Sequence, residues 1–208
     1  MLISTPPRSL FNLTNREISP DNTVKLLYSP KATNVNGLES AHGQRTIDDF
    51  ILIALTKMIK PKNFFEFGTD YGVNLLNLAM NFPELEFHSI DIEKFKQVYS
   101  NTNYESRIHN YIANSVNFDY SMFYEKMDMI FVDGGRDDKT IKSDTENAFK
   151  MLSNNFSCIV YHDYPSIPKV KEFIDEISMQ HTIYHIKDSL ICFYLNNAPQ
   201  NILKCLND

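Results

Sequence analysis

The chain has 208 residues, 43% of them hydrophobic and 22% charged, so it is long enough to bury one sizeable core. Its formal net charge is −6 and its Lys and Arg residues form no run beyond scattered pairs, which disfavours a nucleic-acid partner. No apolar run approaches the roughly 18 residues that span a bilayer, and the N-terminus lacks a signal-peptide pattern. We therefore expect a cytoplasmic protein with a small-molecule substrate and no membrane partner.

Residues 1–42 differ in composition from the rest of the chain. Four prolines interrupt a stretch rich in Asn, Ser and Thr, and its apolar groups are short. The pattern predicts either an N-terminal arm that packs loosely on the protein or a lid over a site. Aromatic residues in such an arm could also pack against a second copy of the chain, so a homo-oligomer is one option. Residues 43–208 are expected to form the main domain.

Strands and helices alternate from Gly43 onward. Apolar residues at three- and four-residue spacing predict a first helix that Pro61 ends. Short apolar runs then predict five strands, and amphipathic segments predict helices between them. Such alternation implies a parallel sheet with right-handed crossovers. The predicted strands are 64–67, 87–91, 109–113, 127–133 and 157–163, and the clearest later helices are 140–152 and 168–179.

The C-terminal end of the chain breaks this alternation. Two β-type runs, 182–186 and 190–195, are separated by only three residues. That gap is too short for a helical crossover and can only form a hairpin. The sequence therefore predicts a doubly wound, Rossmann-like α/β domain whose seven-stranded mixed sheet ends in an antiparallel hairpin.

Four of the six glycines follow two of the predicted strands, namely Gly68, Gly72, Gly134 and Gly135. Glycine lets the backbone approach a ligand closely, although each of these could simply form a tight turn. Asp91 ends the second predicted strand, 23 residues after Gly68. A carboxylate at that place can accept hydrogen bonds from ribose hydroxyls, which points to a cofactor that contains adenosine.

The glycine spacing also discriminates between cofactors. The loop has Gly-x-x-x-Gly rather than the Gly-x-Gly-x-x-Gly that holds a dinucleotide pyrophosphate. Asp70 would place a carboxylate where the pyrophosphate binds. An NAD-dependent oxidoreductase is therefore disfavoured, and a cofactor with adenosine and a positively charged end suits this loop better.

Three segments carry a family resemblance. The stretch FFEFGTDYGV (64–73) resembles motif I of the class I S-adenosylmethionine-dependent methyltransferases. MDMIFVDGGRDDKTIKSD (127–144) and IVYHDY (159–164) resemble the branch with small-molecule O-methyltransferases and cephalosporin-hydroxylase-like proteins. The resemblance spans about residues 43–195 and includes the terminal hairpin. It implies methyl transfer from S-adenosylmethionine, with a hydroxyl of a small molecule as the expected acceptor.

The resemblance also implies which residues form the site. It assigns the cofactor to the ends of the first four predicted strands: Glu66, Gly68, Thr69, Asp70, Tyr71, Gly72, Asp91, Ile92, Asn114, Ser115, Asp133 and Gly134. It assigns catalysis to Asp133, His162 and Asp163. In metal-dependent relatives the matching positions hold a divalent ion, and this donor set would suit Mg²⁺. His162 as a general base without a metal is the alternative.

Two positions depart from the pattern of that branch. Arg136 stands where a His is expected, and Asp138 stands where an aromatic residue is expected. Arg136 could bind an acidic group of the substrate or could be a solvated charge beside Asp137 and Asp138. Asp144, which the pattern retains, is expected to be structural. The departures leave open a second function, a catalytically inactive methyltransferase-fold protein that binds a ligand or a partner.

Overall fold

The computed structural model describes residues 8–10 and 43–207, and its centre is an eight-stranded mixed sheet. The strand order is β1-β7-β8-β6-β5-β2-β3-β4. The strands are β1 (Arg8–Leu10), β2 (Asn63–Phe67), β3 (Glu86–Asp91), β4 (Ile108–Ile112), β5 (Met129–Val132), β6 (Ser157–Tyr161), β7 (Ile183–Ile186) and β8 (Cys192–Asn196).

Helices cover both faces of the sheet. They are α1 (Gly43–Ile59), α2 (Val73–Asn81), α3 (Asp138–Met151), α4 (Pro168–Ile177) and α5 (Gln200–Asn207). One core cluster packs α1 and α2 on one face, and a second packs α3 and α4 on the other. Because both faces are covered, every residue of β5 and β6 is buried, and apart from Ser157 both strands have continuous apolar sequences.

The predicted doubly wound sheet and its terminal hairpin are confirmed. Strands β2 to β6 pair in parallel, whereas β8 runs antiparallel to both β6 and β7. The parallel strands therefore all end at one edge of the sheet, where the loops that follow them converge. Within the residues that the structure describes, a strand, β1, and a helix, α5, were not predicted from the sequence. Both are too short to give a distinctive apolar period.

Residues 1–42 were predicted as an arm or a lid. That prediction lies outside the described residues except at Arg8–Leu10, whose backbone pairs in parallel with Tyr184–Ile186 of β7. β1 is therefore an edge strand, and it makes the sheet one strand wider than the seven expected. Within residues 8–10 and 43–207, no helix is long and apolar enough to cross a membrane.

Arg107 fixes the geometry between α2 and β3. Its guanidinium donates hydrogen bonds to the carbonyl oxygens of Ala79 at 2.8 Å, Phe82 at 3.0 Å and Leu85 at 2.6 Å. It also lies 5.7 Å from the centre of the Phe87 ring. A cation near the last carbonyls of a helix offsets the negative end of the helix dipole. Arg107 thereby holds the end of α2 against the start of the strand that delivers Asp91.

Candidate active site

A cavity of about 450 Å³ opens at the carboxyl edge of the parallel strands, where open α/β sheets bind their ligands. The loops after β2 to β6 line it together with α1. Most of the residues predicted for the cofactor and for catalysis lie on its wall: Gly68, Thr69, Asp70, Tyr71, Asp91, Ile92, Asn114, Ser115, Asp133, Gly134 and His162. The other three, Glu66, Gly72 and Asp163, are not among the residues that line it.

The loop after β2 brings the backbone unusually close to the loop after β5. Gly68 has a φ of +85°, and a Cβ at this position would lie 2.3 Å from the carbonyl oxygen of Asp133. Only glycine fits both the conformation and the space. Gly72, with a φ of +75°, precedes α2, and a Cβ there would lie 2.4 Å from Oε1 of Gln97. Gly72 thus shapes the turn without reaching the cavity.

Asp91, predicted to bind ribose, also holds the glycine loop in place. Its Oδ2 accepts hydrogen bonds from the backbone N–H groups of Thr69 and Asp70, both at 2.8 Å. Its Oδ1 accepts a third from the backbone N–H of Glu93 at 2.9 Å. A carboxylate offers about four acceptor positions, so one remains for a ligand. The same side chain can therefore order the loop and contact a ribose.

Glu66 departs from the expected cofactor contact. Its side chain is fully buried beneath the cavity wall, and the side-chain amide of Asn74 donates to its Oε1 at 2.9 Å. Burial raises its pKa well above the ordinary value, with the Asn74 hydrogen bond opposing and the charge of Asp133 adding to the rise. Glu66 therefore holds the side chain of Asn74 in place from beneath the wall. Asn74, which was not predicted from the sequence, lies on the cavity wall instead.

The side of the cavity formed by the loops after β3 and β4 offers an apolar surface and a polar edge. Ile92 is 67% exposed there, and Asn114 caps the following turn by accepting a hydrogen bond from the backbone N–H of Val116 at 3.0 Å. Asp144 lies behind Ser115 and is only 1% exposed. Burial raises the pKa of Asp144 to about 7, although the nearby side chain of Ser115 opposes the rise. Asp144 is thus a buried part of the wall.

The predicted catalytic residues meet where β5 and β6 end. Nδ1 of His162 lies 3.2 Å from Oδ1 of Asp133 and 3.1 Å from Oδ1 of Asp163. Asp163 has a φ of 66°, and this left-handed conformation accompanies a side chain directed back at its neighbour. Nδ1 is buried and meets neither carboxylate with hydrogen-bond geometry. It therefore faces the space between the two carboxylates.

A third carboxylate, which was not predicted from the sequence, contacts the other side of the imidazole. Asp48 lies on α1, and its Oδ2 is 3.3 Å from Nε2 of His162. Burial lowers the pKa of His162, but the surrounding carboxylates of Asp133, Asp163 and Asp48 outweigh it and raise that pKa to about 12. The imidazole is therefore protonated at neutral pH, which speaks against His162 as a general base in the metal-free protein.

Arg136 belongs to this carboxylate cluster. Its Nε donates to Oδ2 of Asp163, and one terminal nitrogen lies 3.5 Å from Oδ1 of Asp133. The expected solvated charge beside Asp137 and Asp138 is therefore wrong: Asp137 caps α3, and Asp138 pairs with Lys169. The half-exposed guanidinium lies on the cavity wall and offsets part of the negative charge there.

The donor set fits a divalent cation. One ligand atom from each of Asp133, His162 and Asp163 can be chosen so that the three lie within 4.8 Å of one another. Two ligand atoms at right angles to each other, each about 2.1 Å from an ion, are roughly 3.0 Å apart. Nδ1 of His162 lies at nearly this distance from Oδ1 of Asp133 and from Oδ1 of Asp163. The buried, unaligned Nδ1 is the atom that such an ion would satisfy.

Comparison with known proteins identifies the fold. A family model described as a methyltransferase domain matches residues 65–164, which contain the glycine loop, Asp91 and the catalytic cluster. The chain matches no curated protein in sequence.

Solved structures agree with this match. A Staphylococcus aureus protein provisionally described as a caffeoyl-CoA O-methyltransferase superposes with a TM-score of 0.62 and 16% identity, over 73% of this chain and 83% of that one. The N-methyltransferase NodS of Bradyrhizobium japonicum, in complex with S-adenosylhomocysteine, gives 0.59 and 15%, over 80% and 94%. The O-methyltransferase TomG of Streptomyces achromogenes, in complex with S-adenosylmethionine, gives 0.56 and 16%, over 72% and 78%. Residues 65–164 therefore match a methyltransferase domain, and the chain has the fold of the class I S-adenosylmethionine-dependent methyltransferases.

Proposed function

We propose that this protein transfers the methyl group of S-adenosylmethionine to a hydroxyl oxygen of a small molecule. One continuous cavity carries the proposal, since it joins the glycine loop after β2 to the carboxylate cluster after β5 and β6. The backbone of Gly68 touches that of Asp133, so the two halves of the site share one wall. A cofactor on one half would therefore lie beside an acceptor on the other.

The chemistry of the wall supports S-adenosylmethionine as the cofactor. The carboxylates of Asp70, Asp91 and Asp133 line the cavity and favour a positively charged molecule. Asp91 has a free acceptor position for ribose, and Ile92 offers a large apolar surface to a base. Structural relatives bind S-adenosylmethionine or S-adenosylhomocysteine, which favours the same ligand here.

We further propose that Asp133, His162 and Asp163 hold a divalent ion such as Mg²⁺. Its positive charge would lower the pKa of an acceptor hydroxyl nearby. In the transfer, the acceptor hydroxyl would lose its proton to water, and its oxygen would bond to the methyl carbon as the bond from that carbon to sulfur breaks, which would leave S-adenosylhomocysteine. The residues of the chain align the two reactants and exclude water, and such positioning accounts for much of the rate in group transfer.

Calorimetry and a turnover assay test the proposal. The wild-type protein should bind S-adenosylhomocysteine, and Asp91→Asn should bind it about 10- to 100-fold more weakly through loss of a charge-assisted hydrogen bond. Asp138→Asn, which changes an exposed aspartate outside the cavity wall, should bind like wild type.

The turnover assay uses a panel of catechols, phenols and hydroxy acids. Release of S-adenosylhomocysteine should require both an acceptor and Mg²⁺, and EDTA should stop it. Binding without turnover on any acceptor would support the inactive relative instead. No binding of S-adenosylhomocysteine by the wild-type protein would refute the cofactor assignment.

A further inference from the structure

We propose that Asp48 is a positioning residue for the metal site, because it orients His162 so that Nδ1 faces Asp133 and Asp163. The inference rests on the divalent ion proposed above. It adds a residue from α1 to a site whose ligands all follow β5 and β6. Asp48 itself does not reach the ion. It acts only through the imidazole, as the outer partners of metal-binding histidines do.

The contacts of Asp48 support this role. The side chain is buried, and its two oxygens have different partners. Oδ1 accepts a hydrogen bond from the backbone N–H of Leu190 at 3.0 Å, and Oδ2 lies 3.3 Å from Nε2 of His162. The Leu190 contact fixes the direction of the carboxylate, so Oδ2 is held in place for the imidazole.

The tautomer of His162 follows from this arrangement. A carboxylate is only an acceptor, so opposite Asp48 the imidazole must carry its proton on Nε2. When His162 binds an ion through Nδ1, that nitrogen must be unprotonated. Asp48 therefore selects the tautomer in which Nδ1 presents its lone pair to the space between Asp133 and Asp163.

A purely structural role for Asp48 is the competing explanation, since its bond to Leu190 ties α1 to the turn between β7 and β8. Asp48→Asn separates the two roles. The amide oxygen of Asn can still accept from the Leu190 N–H, while its NH₂ group then faces Nε2 of His162. An NH₂ group is a donor, so it favours the tautomer with the proton on Nδ1, where that proton blocks the ion.

The test measures Mn²⁺ affinity by electron paramagnetic resonance on the full chain, with urea unfolding of the same samples. Asp48→Asn should bind Mn²⁺ about 10- to 100-fold more weakly than wild type. Asp128→Asn is the matched control, because Asp128 also accepts backbone hydrogen bonds, from Lys62 at 2.9 Å and Asn63 at 3.1 Å, but lies away from the cavity. Its Mn²⁺ affinity should equal that of wild type.

Three outcomes overturn the inference. Equal Mn²⁺ affinity of Asp48→Asn and wild type refutes the positioning role. If Asp48→Asn loses no more Mn²⁺ affinity than Asp128→Asn does, and the two variants lose equal stability, Asp48 has a structural role only. If the wild-type protein binds no Mn²⁺, the inference fails together with the metal site. The methyltransferase proposal then stands or falls separately, on binding of S-adenosylhomocysteine by the same sample.

Discussion

Because the carboxyl group of Asp144 is buried, we predict that its contribution to the stability of the protein falls as the pH rises. Burial raises the pKa of Asp144 from its ordinary value of 3.8 to about 7, against the opposing effect of the nearby Ser115 side chain. The folded protein therefore holds this proton more tightly than the unfolded chain does. Between these two pH values the contribution of Asp144 to the free energy of unfolding falls with rising pH, by about 1.36 kcal/mol per unit.

The variant Asp144→Asn removes this dependence while it keeps the size and polarity of the side chain. A rise in the pKa from 3.8 to about 7 corresponds to a penalty of roughly 4 kcal/mol above pH 7, as an upper bound. Between pH 5 and pH 8, the stability of Asp144→Asn relative to wild type should therefore rise by about 2 to 3 kcal/mol. Comparing the two proteins at each pH cancels the contributions of other groups, Glu66 included.

The assay is urea unfolding followed by circular dichroism at half-unit steps from pH 5 to pH 8. Asp138→Asn is the control on the same helix, since its side chain is 81% exposed, and its difference from wild type should change little with pH. A difference between Asp144→Asn and wild type that stays constant over the whole range would refute the reasoning. It would mean that Asp144 is already ionised at pH 5 in the folded protein.

Three further substitutions follow from the geometry. Gly68→Ala should abolish binding of S-adenosylhomocysteine in calorimetry, because its methyl group would overlap the carbonyl oxygen of Asp133; near-normal affinity would contradict this. Asn74→Ala should lower the free energy of unfolding by about 1 to 3 kcal/mol, since it leaves the buried Glu66 without its hydrogen bond; a loss below half a kcal/mol would count against the pairing. Arg107→Met should cost about 2 kcal/mol in the same assay, and a neutral effect would show that its three carbonyl contacts contribute nothing.

The fold was predictable because its signals are local. Apolar runs buried on both faces mark β5 and β6, and the short gap between the two predicted C-terminal strands leaves no topology except a hairpin. Gly68 follows β2, Asp91 ends β3, and these strands pair in parallel, so the sequence places both residues at one edge without any knowledge of tertiary contacts. These two residues therefore lie close together because of the strand order of the sheet alone.

The parts of the site that escaped prediction depend on side-chain direction and on distant contacts. Side chains alternate along a strand, so Glu66 points with Phe64 to the face that α2 covers and not into the cavity. Asp48 is a polar residue within an amphipathic helix, and nothing near it in sequence indicates a partner 114 residues away. Arg136 was expected to be solvated beside two acidic neighbours because one of its partners, Asp163, lies on another loop, after β6.

The close contact of Gly68 with Asp133 has a consequence for engineering this site. A gap too small for one methyl group separates the two loops, so neither can change its path without displacing the other. Random libraries that vary the residues after β2 to accept a modified cofactor will also disturb the carboxylate after β5. Under the proposed function, selectivity for the cofactor and reactivity toward the acceptor are therefore coupled through this contact, and directed evolution of either should vary both loops together.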